Sequence, residues 1–116
     1  MRKILLTTAT ALMVGMFAGP AAAESITGEV IDLSCYLSHP HTSVGASHRK
    51  CAETCAKKGL PMGILTEAGK AYVLLEDHAN PQAYAEAIGN AAKTITVEGK
   101  TVNEGGLAGV VVESVD

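Results

Sequence analysis

The chain has 116 residues, with nine Lys and Arg against twelve Asp and Glu, a net charge of −3 with neutral histidines, and 3% aromatic residues. A chain this acidic and poor in rings lacks the basic footprint and stacking platforms that nucleic acids require, and it does not suit an anionic membrane surface. Its length admits one domain with one modest core.

The chain opens with Arg2 and Lys3, followed by an apolar run from Ile4 to about Gly19, then Pro20 and the small-residue triplet Ala21-Ala22-Ala23. A positive end, an apolar run too short for a comfortable membrane span and an A-x-A site together predict a signal peptide over residues 1–23, cleaved before Glu24. No twin arginine is present, so the expected route is general secretion, and the expected location is the periplasm. Removing 23 residues from 116 leaves 93, and removing Arg2 and Lys3 leaves a net charge of −5. No membrane attachment is expected after cleavage.

The mature chain, residues 24–116, reads as one domain. Ile26 to Leu33 is rich in β-branched residues and predicts a first strand, with Gly28 marking a bend or bulge. Ser34 to Ala46 turns to Ser, His, Pro and Gly, the composition of a loop. Ser47 is placed to cap a helix from about His48 to Lys58, with Lys57 and Lys58 in its last turn, Gly59 past its end and Pro61 preventing continuation. Met62–Thr66 and Ala71–Glu76 predict two strands joined by a hairpin turn at residues 67–70.

Asn80 then stands as a cap before Pro81 at the first position of a second helix, on which Tyr84, Ile88 and Ala91 share one face. Ile95 and Val97 alternate with Thr94, Thr96 and Glu98 as a fourth strand, with Val102 in a short continuation after Gly99-Lys100. Gly105-Gly106 leads into a last strand, Leu107 to Val115. This order predicts a β-rich α+β fold. It fits a small five-stranded barrel on the OB-fold plan, with one helix between strands three and four and a Cys/His-bearing insertion, about residues 35–60, after strand one. The alternative is an open α+β sandwich.

The chemistry concentrates in that insertion. Cys35, Cys51 and Cys55 are the only cysteines, and an odd number cannot pair fully within one exported chain. The first predicted helix carries no large aliphatic side chain between His48 and Lys58. A short helix normally relies on burying an apolar stripe, so its cysteines are the natural anchors. His48, Cys51 and Cys55 follow at i, i+3 and i+7 and project from one side. Cys35, at the end of the first strand, is placed to approach them.

Three cysteines and one histidine form a Cys₃His set of the type zinc uses, and soft thiolates equally suit monovalent copper. The leading expectation is therefore a periplasmic metal-binding protein with Cys35, His48, Cys51 and Cys55 as ligands to a copper or zinc ion. His39, His41 and Met62 are neighbours in sequence that could add ligands, and His78 is a further histidine. Two rivals stay open. A disulfide from Cys35 to Cys51 or Cys55 would staple the helix to a barrel serving as an interaction module for a periplasmic protein partner, an outcome that an oxidising compartment favours. A thiol-redox protein would instead use a low-pKa Cys51, beside Arg49 and Lys50.

No C-x-x-C-H haem site, C-x-x-C redox motif, phosphate loop or paired catalytic carboxylate stands out. No catalytic residue is therefore assigned, and an enzymatic role is not the leading expectation.

The segments TGEVIDLSCYL, HRKCAETC and GLPMGILTEAGKAYVLLEDH resemble a group of small exported bacterial proteins that share a pattern close to G-E-V-x-D-x-x-C-Y, H-x-x-C-x-x-x-C and G-x-P-x-G. The resemblance spans nearly the whole mature chain. It implies that Cys35, Tyr36, His48, Cys51, Cys55, Pro61 and Gly63 are motif positions, and it adds no reaction. His39, His41 and His78 fall outside the pattern.

Overall fold

The computed structural model describes residue 15 and residues 23–116. The expected signal peptide, residues 1–23, thus lies almost wholly outside the described residues. In chain order the elements are β1 (Glu24–Asp32), α1 (Leu33–Ser38), a 3₁₀ turn (Ala46–His48), α2 (Arg49–Lys57), β2 (Met62–Thr66), β3 (Ala71–Glu76), α3 (Pro81–Gly89), β4 (Thr94–Glu104) and β5 (Leu107–Val115).

The five strands close into a barrel in the order β1-β2-β3-β5-β4, with β4 returning to β1. All pairings are antiparallel except β3 with β5, which is parallel. With α3 between β3 and β4 and an insertion between β1 and β2, the architecture is the β-rich barrel expected from the sequence, and the open sandwich is set aside.

Alternation explains the core. Ile26 and Val30 of β1, Ile64 of β2, Leu74 of β3, Val97 of β4 and Val110 and Val112 of β5 all point into one buried cluster, each at the period of two that a pleated strand imposes. Burying a side chain of this size contributes roughly 1.5–3 kcal/mol, so these positions carry much of the stability. Two glycines permit the closure. A Cβ on Gly28 would overlap the carbonyl of Leu65, and one on Gly99 the carbonyl of Val111. Gly99 also sits at the register shift where Glu113 of β5 is skipped between the pairs Glu98–Ser114 and Gly99–Val112, and β4 runs through it as one strand of eleven residues where the sequence suggested a strand with a short continuation.

α3 closes one end of the barrel. Its buried residues are Ala83 and Ala87, joined in the core by Ala91 from the turn that follows, while Tyr84 and Ile88 pack along the edge of the cluster. The stripe read from Tyr84, Ile88 and Ala91 is therefore displaced by one position at its first two members. The reason is steric, since small alanines let the helix lie close against β3 and β5. Pro81 takes the first helical position as expected, but Asn80 does not cap through its side chain. Its amide instead donates to the Glu113 carbonyl at 2.9 Å, tying the helix start to β5.

Candidate metal centre

The insertion departs from the sequence reading at its first residue. Leu33, expected to end the first strand, and residues 34–38, expected as loop, form α1, because the Asp32 carboxylate accepts the Cys35 N–H at 2.7 Å and so caps the helix as β1 ends. Both ends of the insertion are pinned where the Leu33 N–H donates to the Pro61 carbonyl at 3.0 Å. Between them the connecting loop is tied down twice. Ser43 Oγ donates to the Cys35 carbonyl at 3.1 Å, and the Gly45 N–H donates to the Glu29 carboxylate at 2.7 Å.

α2 follows a 3₁₀ turn rather than a Ser47 cap. His48 occupies the cap position and makes no capping bond with its side chain; its ring is directed at Asp32 instead. The far end stops as the sequence suggested. Gly59 adopts φ 74°, its N–H donates to the Ala56 carbonyl, and the Leu60 N–H donates to the Cys55 carbonyl, which is a Schellman ending. Ala52 and Cys55 are the buried residues of α2, and Ala52 joins the barrel core.

These constraints bring side chains from β1, α1, the 3₁₀ turn and α2 to one point. Donor atoms of Asp32, Cys35, His48 and Cys51 all lie within 4.8 Å of one another. Cys35 Sγ is 3.8 Å from Cys51 Sγ, and His48 Nε2 is 2.8 Å from Asp32 Oδ2. The four grade from inside to outside. Asp32 is fully buried, Cys35 and His48 are partly covered, and Cys51 is exposed. Such a cluster of carboxylate, imidazole and two thiols is a donor set able to hold a metal ion.

Of the four residues expected as ligands, the structure places Cys35, His48 and Cys51 in this group. Cys55 lies outside the group of four, and it is buried. His39, His41 and His78 are exposed, and Met62 is buried in the barrel core. Among the described residues all three cysteines are free, with no pair at bonding distance. Asp32 is the member that the reading of the cysteines and histidines missed. Its local signal is an acid three residues before Cys35 at the end of a strand, the spacing of a helix N-cap.

Electrostatics follow from the geometry. Burial opposes a charge on Asp32, but the Cys35 N–H, the Cys35 thiol and His48 together outweigh it and hold the carboxyl below its usual range. As a carboxylate, Asp32 can only accept, so Nε2–H of His48 is the donor of their 2.8 Å contact. A carboxylate that fixes a histidine tautomer in this way is the usual support of an imidazole ligand. The Cys35 thiol is pushed up to about 12 by the Asp32 carboxylate, with burial and Cys51 adding to the effect. The Cys55 thiol is also raised, first by burial and then by the charges of Asp32 and Cys51. Thiols held protonated are weak nucleophiles at neutral pH, which counts against a redox role for these two; a cation would have to displace their protons.

Compared with models of protein families, with curated proteins and with solved structures, the chain gives no match. The functional reading therefore rests on the site itself.

Proposed function

We propose that the protein is an exported, periplasmic metal-binding protein that holds one copper or zinc ion in the insertion between β1 and β2. Cys35, Cys51 and His48 supply two sulfurs and a nitrogen. Asp32 completes the set or steadies the imidazole, and Cys55 is a further thiol within reach. The observation that carries this reading is the convergence of four donor groups within 4.8 Å, with the carboxylate wholly buried. Four backbone and side-chain ties hold the surrounding segment in place, and such preorganisation is what a binding site needs.

The test is native mass spectrometry with elemental analysis on protein recovered from the periplasm. One ion per chain is expected, with three reduced cysteines. Cys51→Ser should lose it, and unaltered metal content in that variant would refute the reading.

The 3.8 Å approach of Cys35 and Cys51 favours a second reading, an interaction module stapled by that pair. In that case the recovered protein would be metal-free and lighter by two hydrogens.

A further inference from the structure

The site is not surrounded evenly by charge. Seven Lys and Arg residues lie in residues 23–116, and four of them, Arg49, Lys50, Lys57 and Lys58, belong to α2 and its end. All four are exposed. The one ion pair among the described residues is that of His48 with Asp32, so none of these cations is held in a salt bridge, although Glu53 shares a helical stripe with Arg49 and Lys57. Glu53 is the one acid on α2, so the helix and its end carry a net charge of about +3, while the rest of residues 23–116 holds eleven Asp and Glu against three cations.

The exposed donor of the site, Cys51, has Lys50 and Lys58 as its basic neighbours, while Arg49 and Lys57 lie farther round the helix. Cys51 follows Lys50 directly and shares a helical stripe with Thr54 and Lys58, at i, i+3 and i+7. On α1, Leu37 is 77% exposed. An exposed ligand flanked by Lys50 and Lys58 on a helix of net positive charge is a face for an acidic partner.

Resting on the metal-binding reading above, we infer that the ion enters and leaves through Cys51, by exchange with an acidic protein that docks on the basic face of α2 and presents its own thiol. The chemistry balances without a change of oxidation state. The partner's thiol becomes a thiolate bound to the ion, the bond from the ion to Cys51 breaks, and the partner's proton passes to the Cys51 sulfur. Charge complementarity selects the partner, since opposite charge at the point of exchange raises encounter rates by roughly 10- to 1,000-fold at low salt. A protein is favoured over a lipid surface because the exchange needs an incoming ligand at Cys51.

The experiment loads the protein with copper(I) and follows transfer to two peptides of equal length that end in cysteine, one of glutamates and one of glutamines. Transfer to the glutamate peptide should be at least about tenfold faster at low salt. The advantage should vanish at about 1 M salt, where charges are screened within about 3 Å. It should also vanish in the R49Q/K50Q/K57Q/K58Q variant, whose circular dichroism should be unchanged because all four side chains are exposed. Equal rates for both peptides with the unaltered protein would overturn the inference, as would adsorption to phosphatidylglycerol vesicles with no preference for the glutamate peptide. If copper(I) does not load at all, the metal-binding reading fails; salt-sensitive capture of the glutamate peptide by the metal-free protein would still uphold the docking face, and its absence would remove it.

Discussion

The carboxylate of Asp32 meets Nε2 of His48 at 2.8 Å across a sequence separation of sixteen residues, while its other oxygen caps α1 through the Cys35 N–H. One buried acid thereby sets the start of a helix and the orientation of an imidazole. Replacing it separates the two roles. Asp32→Asn keeps an acceptor for the Cys35 N–H but gives up the charge that holds the histidine tautomer. Metal affinity is expected to fall about 10- to 100-fold, as for other supporting partners of a histidine ligand. Asp32→Ala should in addition cost about 1 kcal/mol of stability through the lost cap. A competition titration and a denaturant melt, run on both variants, separate the effects.

Stability of the metal-free protein should fall at both ends of the pH scale. Asp32 is held below its ordinary value of 3.8, so the folded state gains from the charged form. That contribution is present above 3.8 and is lost as pH drops towards the folded value. Cys35 behaves in the opposite sense. Its thiol is raised from 9.0 to about 12, so the unfolded chain releases this proton first and stability declines from pH 9 upwards. Urea midpoints across pH should show both limbs. Asp32→Asn should flatten the acid limb and Cys35→Ser the alkaline one.

Cys51 and Cys55 lie one turn apart and should respond differently. Cys51→Ser alters an exposed side chain and should change stability by less than about 0.5 kcal/mol while abolishing metal retention. Cys55→Ser places a hydroxyl in a buried position and should cost about 1–3 kcal/mol if it finds no partner, with an ion still bound. Thermal melts paired with elemental analysis read both quantities.

Oxidation should select one pair of thiols. With oxidised glutathione as the oxidant, Cys35 and Cys51, 3.8 Å apart, should form the disulfide, each event releasing two molecules of reduced glutathione. Cys51 and Cys55, on successive turns of one helix, are poorly aligned for a bond. Peptide mapping should find Cys55 as the free thiol, and the oxidised protein should no longer take up metal.

Gly59 ends α2 at φ 74°, a conformation that costs a residue with a Cβ about 1–2 kcal/mol. Gly59→Ala should lower stability by that amount, measured as a shift of the urea midpoint with unchanged slope.

The barrel was legible because each strand carries its own alternation, and turn residues mark where one strand gives way to the next. Ile95 and Val97 in β4 and the Glu67–Lys70 hairpin announce themselves locally. So does the stop of α2 at Gly59. The site was legible in part. Cys35, His48 and Cys51 were visible as chemistry-bearing residues at suggestive spacing. Asp32 was not, because its significance depends on meeting a residue sixteen positions away, and no local pattern encodes that meeting. α1 escaped for a related reason. Its residues precede the Pro, His and Gly that mark the loop after it, and what makes them helical is one side-chain cap from Asp32, which reads as part of a strand. The Ser47 cap failed because the chain enters α2 through a 3₁₀ turn and spends the cap position on His48, whose ring is taken by Asp32.

Asp32 also belongs to the barrel wall. In the β1–β2 register it stands opposite Met62, whose side chain lies in the core. On the proposed function, a residue of the site is thus also a residue of the barrel. For a chain that takes up its ion as proposed, free metal at a hundredfold excess over Kd adds about 2.7 kcal/mol to the stability of the whole fold. Where degradation tracks the population of opened chains, that difference becomes a difference in lifetime. Chains that have found their ion persist, and those that have lost it are cleared first.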